Sequence, residues 1–280
     1  MSVTSNKLGF EVLSNACGAE ITGVDLRATL DTTEIKFIRD VWLQHLVIVF
    51  RGQAISNEDQ VRFCKYFGSL EEVRTGNYAN EDMRHTMMIT NVMDTGYKTA
   101  LENGDMWFHS DQCYYEIPCR ASSLYSMEVP SIGGNTLFAN GYKAWDSLSN
   151  PLKAKLRRLR AVNVYDYNGN PLKRSDSIDP QAPKFSHPIA RIHPDTGKYA
   201  LYVNRLMTTH IEGMDQEESS SILNQLFDHS EKPEFIYEHV WKNGDLILWD
   251  NRCSMHARTD FDPKESRMLR RITIKGEPVQ

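Results

Sequence analysis

The sequence predicts a mainly β protein, a sandwich or barrel with flanking helices. From about residue 86 onward the chain breaks into short β-type segments separated by turn residues, the texture of those architectures. Ahead of them, apolar residues recur at helical spacing in two stretches. The 280 residues hold no repeat, low-complexity tract or linker, so 1–280 reads as one domain, long enough to bury a core without staples.

In chain order, Ala19 to Asp25 reads as a short strand. Thr32 to His45 follows as a helix, with Ile35, Ile38 and Trp42 on one face behind an Asp31 or Thr32 cap. The apolar run Leu46 to Phe50, closed by Arg51-Gly52, reads as a buried strand. Ser56 opens a second helix carrying Val61, Phe63, Cys64 and Phe67, expected to end on Gly68 in a left-handed cap. Strands are then expected at Thr86 to Asn91, Ser122 to Val129, Asn135 to Ala139, Phe185 to Ile192, Tyr199 to Val203, Glu234 to Val240, Asp245 to Trp249 and Met268 to Ile274. Two helices interrupt them: Leu152 to Arg160 behind Asn150-Pro151, and Glu217 to His229 behind a capping-box-like Asp215 and Glu218.

Composition narrows the function. With 32 basic and 37 acidic residues the formal net charge is −5, which argues against nucleic acid or an anionic membrane as the main partner. The run Lys153, Lys155, Arg157, Arg158, Arg160 reads as a solvated helix face. The five cysteines are odd in number and form no C-x-x-C, so neither a disulfide framework nor a zinc knuckle is indicated, and a reducing cytoplasm is the expected setting. No apolar run approaches the length of a membrane span, and the first thirty residues lack the pattern of an export signal.

The chemistry-bearing features are Trp107-Phe108-His109-Ser110-Asp111 and, much later, Trp249-Asp250-Asn251-Arg252-Cys253-Ser254-Met255-His256. Two imidazoles and a carboxylate are the ligand set of a mononuclear non-haem Fe(II) site. On a strand, His109 and Asp111 would share a face, with His256 arriving from a distant strand. A lone His-x-Asp is weak, and a second one exists at His193-Pro194-Asp195. That one continues into Thr196-Gly197 and reads as a hairpin turn. Arg267 and Arg271 stand 11 and 15 residues after His256 and share one face of a strand, with Arg270 on the other. Two guanidiniums inside a barrel call for anions such as carboxylate or sulfonate, the alternative being an outward arginine ladder on an edge strand.

Several ordered segments together resemble the taurine and 2,4-dichlorophenoxyacetate dioxygenase family of Fe(II)/2-oxoglutarate enzymes. They are Gly18 to Leu26, Leu46 to Gln53, Trp107 to Asp111, Gly133-Gly134-Asn135-Thr136, Leu201-Tyr202-Val203-Asn204, and Trp249 through Arg271. The resemblance implies a double-stranded β-helix, or jelly-roll, barrel. It implies that His109, Asp111 and His256 hold Fe(II), that Thr136 and Arg267 bind the far carboxylate of the co-substrate 2-oxoglutarate, and that Arg271 grips the anionic end of a small-molecule substrate. The expected reaction consumes O2, releases succinate and CO2, and hydroxylates the substrate, which fragments where the attacked carbon bears a heteroatom. The halogenating members lack the carboxylate that Asp111 supplies. An even-numbered homo-oligomer, dimer or tetramer, is common among similar proteins.

Departures from the family pattern bear on the substrate. Leu70-Glu71-Glu72-Val73-Arg74-Thr75-Gly76 supplies neither the histidine nor the tyrosine of the taurine enzymes, and leaves Val73 as a candidate pocket residue. Asp105 stands where asparagine is usual, either as a solvated turn residue or as a partner for an amine. Tyr114, Tyr165 and Met207 are expected as pocket walls, and Cys113 is expected to point away from the metal. The leading expectation is a small aryloxy or alkyl carboxylate or sulfonate as substrate. The alternatives are an amine-bearing acid met by Asp105, or a non-catalytic jelly-roll binding protein.

Overall fold

The computed structural model describes residues 8–73, 83–92, 106–166 and 178–279. The chain opens with β1 (Gly9–Val12), β2 (Ala19–Thr22), α1 (Thr32–His45), β3 (Val47–Phe50), α2 (Asn57–Lys65) and β4 (Thr86–Thr90). β5 (Met106–His109), β6 (Ala121–Glu128) and β7 (Thr136–Asn140) lead into two short helices, α3 (Gly141–Asp146) and α4 (Asn150–Leu156). After them come β8 (Arg160–Val164), β9 (Lys184–Pro188), β10 (Ala190–Ile192), β11 (Tyr199–Leu201) and β12 (Thr208–Ile211). The chain closes with α5 (Gln216–Ser230), β13 (Ile236–His239), β14 (Leu246–Asp250), β15 (Ser254–Arg258) and β16 (Met268–Ile274).

Two sheets carry the fold. Seven strands pair in the order β1-β2-β3-β14-β6-β16-β4, and four in the order β13-β7-β15-β5. Side chains alternate across the larger sheet as a period of two demands. Val47, Val49, Leu124, Ile247, Trp249 and Leu269 join Phe138 and Tyr237 of the smaller sheet in one core. Ile48, Phe50, Leu246, Leu248, Ile272 and Ile274 join Ile38, Val41 and Trp42 of α1 and Phe63 of α2 in another. The larger sheet is therefore covered on both faces, which explains why 46–50 is an unbroken apolar run rather than an alternating one. Each such side chain contributes about 1.5–3 kcal/mol on burial. Truncating Trp249, 1% exposed in the shared core, would cost about 3–5 kcal/mol. Two facing, largely antiparallel sheets closed over one core make the jelly-roll expected.

Helix boundaries follow capping chemistry. Asp31 and Glu34 close a capping box at α1, and Ser56 and Asp59 close another at α2. Asp215 accepts from the Glu218 amide at α5. α2 ends at Lys65 with Tyr66 as cap, so Gly68 is not its left-handed terminator. α4 is shorter than expected: its cap is Ser149, it stops at Leu156, and Arg160 already begins β8. The stretch Phe185 to Ile192 divides into β9 and β10, which belong to different sheets. β1, β8, β12 and α3 gave no separate signal in the sequence. The five cysteines are all free and buried. Among the described residues no helix is long and apolar enough to cross a membrane.

Candidate active site

His109 closes β5, His256 sits in the middle of β15, and the two are direct antiparallel partners. Cross-strand partners on one face bring their side chains together, and the two rings lie 4.1 Å apart between centroids. Asp111 comes from the turn after β5 rather than from the strand, a correction to the shared-strand geometry expected. The next residue, Gln112, adopts φ 59, a left-handed conformation uncommon for a side chain with a Cβ, so the backbone is strained where it aims the carboxylate. Asp111 Oδ1 ends 3.8 Å from His109 Nε2 and 3.9 Å from His256 Nε2.

The protonation pattern suits a cation. His109 Nδ1 donates to Trp107 O at 3.0 Å, so its Nε2 carries the lone pair and faces Asp111. Burial holds both imidazoles below their ordinary value, His256 well below it with the neighbouring His109 adding to the effect. Burial alone would raise Asp111. Arg271, then the two histidines and the Ser122 hydroxyl, instead hold its carboxyl well below the usual range. Asp111 Oδ2 lies 2.8 Å from Arg271 Nη2 and accepts from Ser122 Oγ at 2.6 Å. Ser122 in turn accepts from Asn251 Nδ2 at 3.0 Å, and Asn251 Oδ1 accepts from Trp249 Nε1 at 2.9 Å. The carboxylate is thus fixed through Oδ2, with Oδ1 turned to the imidazoles.

A cavity opens beside the two histidines. Thr136, Arg258, Arg267 and Arg271 line it, and no carboxylate does so among the described residues. Arg267 donates from Nε to Gly134 O at 3.1 Å. That approach explains the glycine pair: a Cβ on Gly134, at φ +65, would sit 3.0 Å from Pro130 Cγ and 3.1 Å from Arg267 Nε, and one on Gly133 would strike Asp260 O at 2.2 Å. Thr136 Oγ1 accepts from Trp241 Nε1 at 3.0 Å, which leaves the threonine proton to donate elsewhere. Burial, with the charge of Arg258 second, pushes Arg267 down to about 9. Its charge is costly there until an anion arrives.

The remaining candidates divide. Arg271 lines the cavity as expected, but its guanidinium also pairs with Asp111, and its Nε is buried without a partner. Arg270 does point to the opposite face. It is buried rather than solvated, donating to Ile55 O at 2.9 Å and Ser56 O at 3.2 Å, so no outward arginine ladder exists. Met207 does not line the cavity: it is 4% exposed in a cluster with Cys113 and Leu206. Tyr165 is 43% exposed and packs against Tyr114 with ring centroids 4.7 Å apart and planes tilted by 47°, and neither residue lines the cavity. Val73 is tied by its amide to Arg84 O at 2.9 Å, also outside the lining. Cys113 turns its thiol to Met207 Sδ at 3.6 Å. Asp105 lies outside the described residues. The second His-x-Asp forms the expected turn, with Gly197 N donating to His193 O at 2.8 Å between β10 and β11.

Three contributors escaped the sequence reading. Ser122 and Trp241 act across strands and carry no local signal. Arg258 stood two residues from His256 on one strand, a period-two signal that was available.

Two neutral imidazoles and an ionised carboxylate, converging beside an open cationic cavity, are the donor set of a mononuclear non-haem iron oxygenase. The chain belongs to the taurine catabolism dioxygenase TauD, TfdA family, whose profile matches residues 9–273. It is 33% identical over 286 residues to pentalenolactone F synthase of Streptomyces avermitilis, covering 95% of this chain and 94% of that one. It is 32% identical over 271 residues to the (S)-phenoxypropionate/alpha-ketoglutarate-dioxygenase of Sphingobium herbicidovorans, covering 94% and 93%. The crystal structure of AAD-2 in complex with Mn(II) and N-oxalylglycine superposes with a TM-score of 0.79 at 27% identity, over 97% of this chain and 99% of that one. The protein is an Fe(II)/2-oxoglutarate-dependent dioxygenase, and family membership removes the binding-module alternative.

Proposed function

We propose that the chain is one catalytic unit that hydroxylates a small organic acid, an aryloxy or alkyl carboxylate or sulfonate, with His109, Asp111 and His256 as iron ligands. The observation that carries this reading is a cavity lined by three arginines and, among the described residues, no carboxylate, opening directly beside the imidazole pair. Such a cationic lining suits an anionic co-substrate and an anionic substrate. The phenoxypropionate relative supports the aryloxy acid class.

Thr136 and Arg267 would hold the far carboxylate of 2-oxoglutarate, the arginine giving two parallel N–H bonds and the threonine its free proton. Bound together, iron and 2-oxoglutarate supply the oxidising chemistry that consumes O2, releases succinate and CO2, and hydroxylates a C–H bond. The protein's own share is placement. Arg271 would fix the substrate's anionic end, and the apolar wall of Ile89, Met106 and Leu124 would keep water from the reacting carbon. Where that carbon bears oxygen, nitrogen or sulfur, the product fragments. The buried, unpaired thiols fit a reducing cytoplasm. Light scattering after size exclusion would test the dimer or tetramer we propose.

The test is an anaerobic titration with Fe(II) and 2-oxoglutarate, following the weak visible band of the chelate, with Asp111→Ala and Arg267→Ala as controls. A band that weakens in both variants supports the assignment; its absence from the wild type at saturating iron overturns it. For the substrate, Arg271→Ala should raise KM for acids by about tenfold or more, the value of one charge-assisted contact. Acids that keep their wild-type KM would remove Arg271 from substrate binding.

A further inference from the structure

The geometry points to Arg258 as a further positioning residue for the remote carboxylate of the co-substrate, so that this end of the cavity is read by two guanidiniums rather than one. The inference rests on the 2-oxoglutarate reading above and deepens it. Arg258 is the last residue of β15, two after His256, so its side chain leaves the sheet on the same side as that imidazole. Its direct partner across the ladder with β7 is Thr136, and both residues line the cavity with Arg267.

The two guanidiniums share a single ring. Arg258 Cζ lies 6.0 Å and Arg267 Cζ 5.9 Å from the centroid of Phe261, itself 6% exposed. An aromatic ring offers each cation a modest attraction, worth much less than a carboxylate. The charge of Arg258 disfavours the charged form of Arg267, and with Arg258 8% and Arg267 3% exposed that repulsion is poorly screened. A dicarboxylate removes that repulsion by putting negative charge where Arg267, Arg258 and Thr136 meet. A monocarboxylic 2-oxo acid of equal length cannot do so. Arg258 thus works as a discriminator: it strengthens binding of the acid that bears a second carboxylate and leaves the end that chelates iron untouched.

The test compares 2-oxoglutarate with 2-oxopentanoate, which has the same chain length but no remote carboxylate. Binding of each to the anaerobic Fe(II) enzyme is read from the chelate band. For the wild type, 2-oxoglutarate should bind the tighter. Arg258→Met should lower that preference by about tenfold or more, while the affinity for 2-oxopentanoate stays near wild type; Arg258→Lys should restore part of it. A variant that merely loosens the fold would weaken both acids equally and keep the ratio, so Arg258→Gln, which retains a polar head, is run alongside to separate the two effects. If Arg267→Met collapses the preference and none of the Arg258 variants changes it, Arg258 has no part in reading the carboxylate, although the co-substrate assignment stands. If wild type gives no band with 2-oxoglutarate, it is that assignment which fails.

Discussion

The cluster of His109, Asp111 and Arg271 and the cluster of His193, Asp250 and Arg252 are built from the same three residue types, both largely buried. In the second, both histidine nitrogens, both carboxylate oxygens and all three guanidinium nitrogens have partners. His193 Nε2 donates to Asp250 Oδ2 at 2.9 Å, while Nδ1 accepts from the amides of Asp195 and Thr196 at 3.2 and 3.3 Å. Arg252 reaches both oxygens of Asp250, at 2.8 and 2.7 Å, and its Nη1 reaches Asp195 at 2.8 Å and Glu277 at 2.9 Å. Cys253 is close enough to complete a trio with His193 and Asp250, but the imidazole has no lone pair left for a metal. In the first cluster the accounts stay open. The imidazole Nε2 atoms of His109 and His256 face Asp111 Oδ1 beyond hydrogen-bond distance, and Arg271 Nε and His256 Nδ1 are buried without partners. Saturation marks a structural joint, and unspent bonding capacity marks a site.

Breaking the closed cluster should have the largest effect. Arg252→Met leaves Asp250 buried without its cation and should lower the unfolding free energy by about 3–5 kcal/mol in urea titrations. A loss under about 1 kcal/mol, the scale of a surface pair, would erase the distinction between the two clusters. The open cluster should behave in the reverse way. Asp111→Asn should weaken Fe(II) binding by more than about a hundredfold, beyond the cost of losing an outer partner. Its metal-free stability should fall by less than that of Arg252→Met, because Arg271, 21% exposed, keeps access to water when its partner is neutralised, and calorimetric metal titration beside thermal denaturation reads both. The smallest effect sharpens the comparison. Ser122→Ala removes the hydroxyl that fixes Asp111 Oδ2 and should cost about tenfold to a hundredfold in metal affinity, with about 1 kcal/mol in stability. Unchanged metal affinity in that variant would mean that Arg271 alone orients the carboxylate.

Much of this is legible in the amino-acid sequence. Period-two patterning placed β16 at its full length and put Arg271 and Arg270 on opposite faces, because a buried strand tolerates no slip in register. The proposed metal trio was legible only as three separated residues. What joins them is the pairing of His109 with His256 across β5 and β15, a contact between positions far apart in sequence. Ser122 and Trp241 were invisible for the same reason, since nothing around them announces which strand they will face. Met207 and Tyr165 stand outside the lining of the cavity beside the histidines, and apolar character alone does not separate a cavity wall from the core behind it. The error at α4 is local: no glycine or proline separates the helical pattern from β8, so tertiary pairing of Arg160 with Pro188 sets the boundary instead.

The buried cysteines have a use of their own. Burial pushes Cys17, Cys64 and Cys113 up to about 12, and Cys119 and Cys253 well above their ordinary value. At neutral pH none of these sulfurs is a thiolate and none meets solvent. A thiol reagent therefore reaches them only as fast as the barrel breathes, and with one sulfur on α2, one on the turn after β5 and one after β14, the chain carries its own clocks for which part opens first.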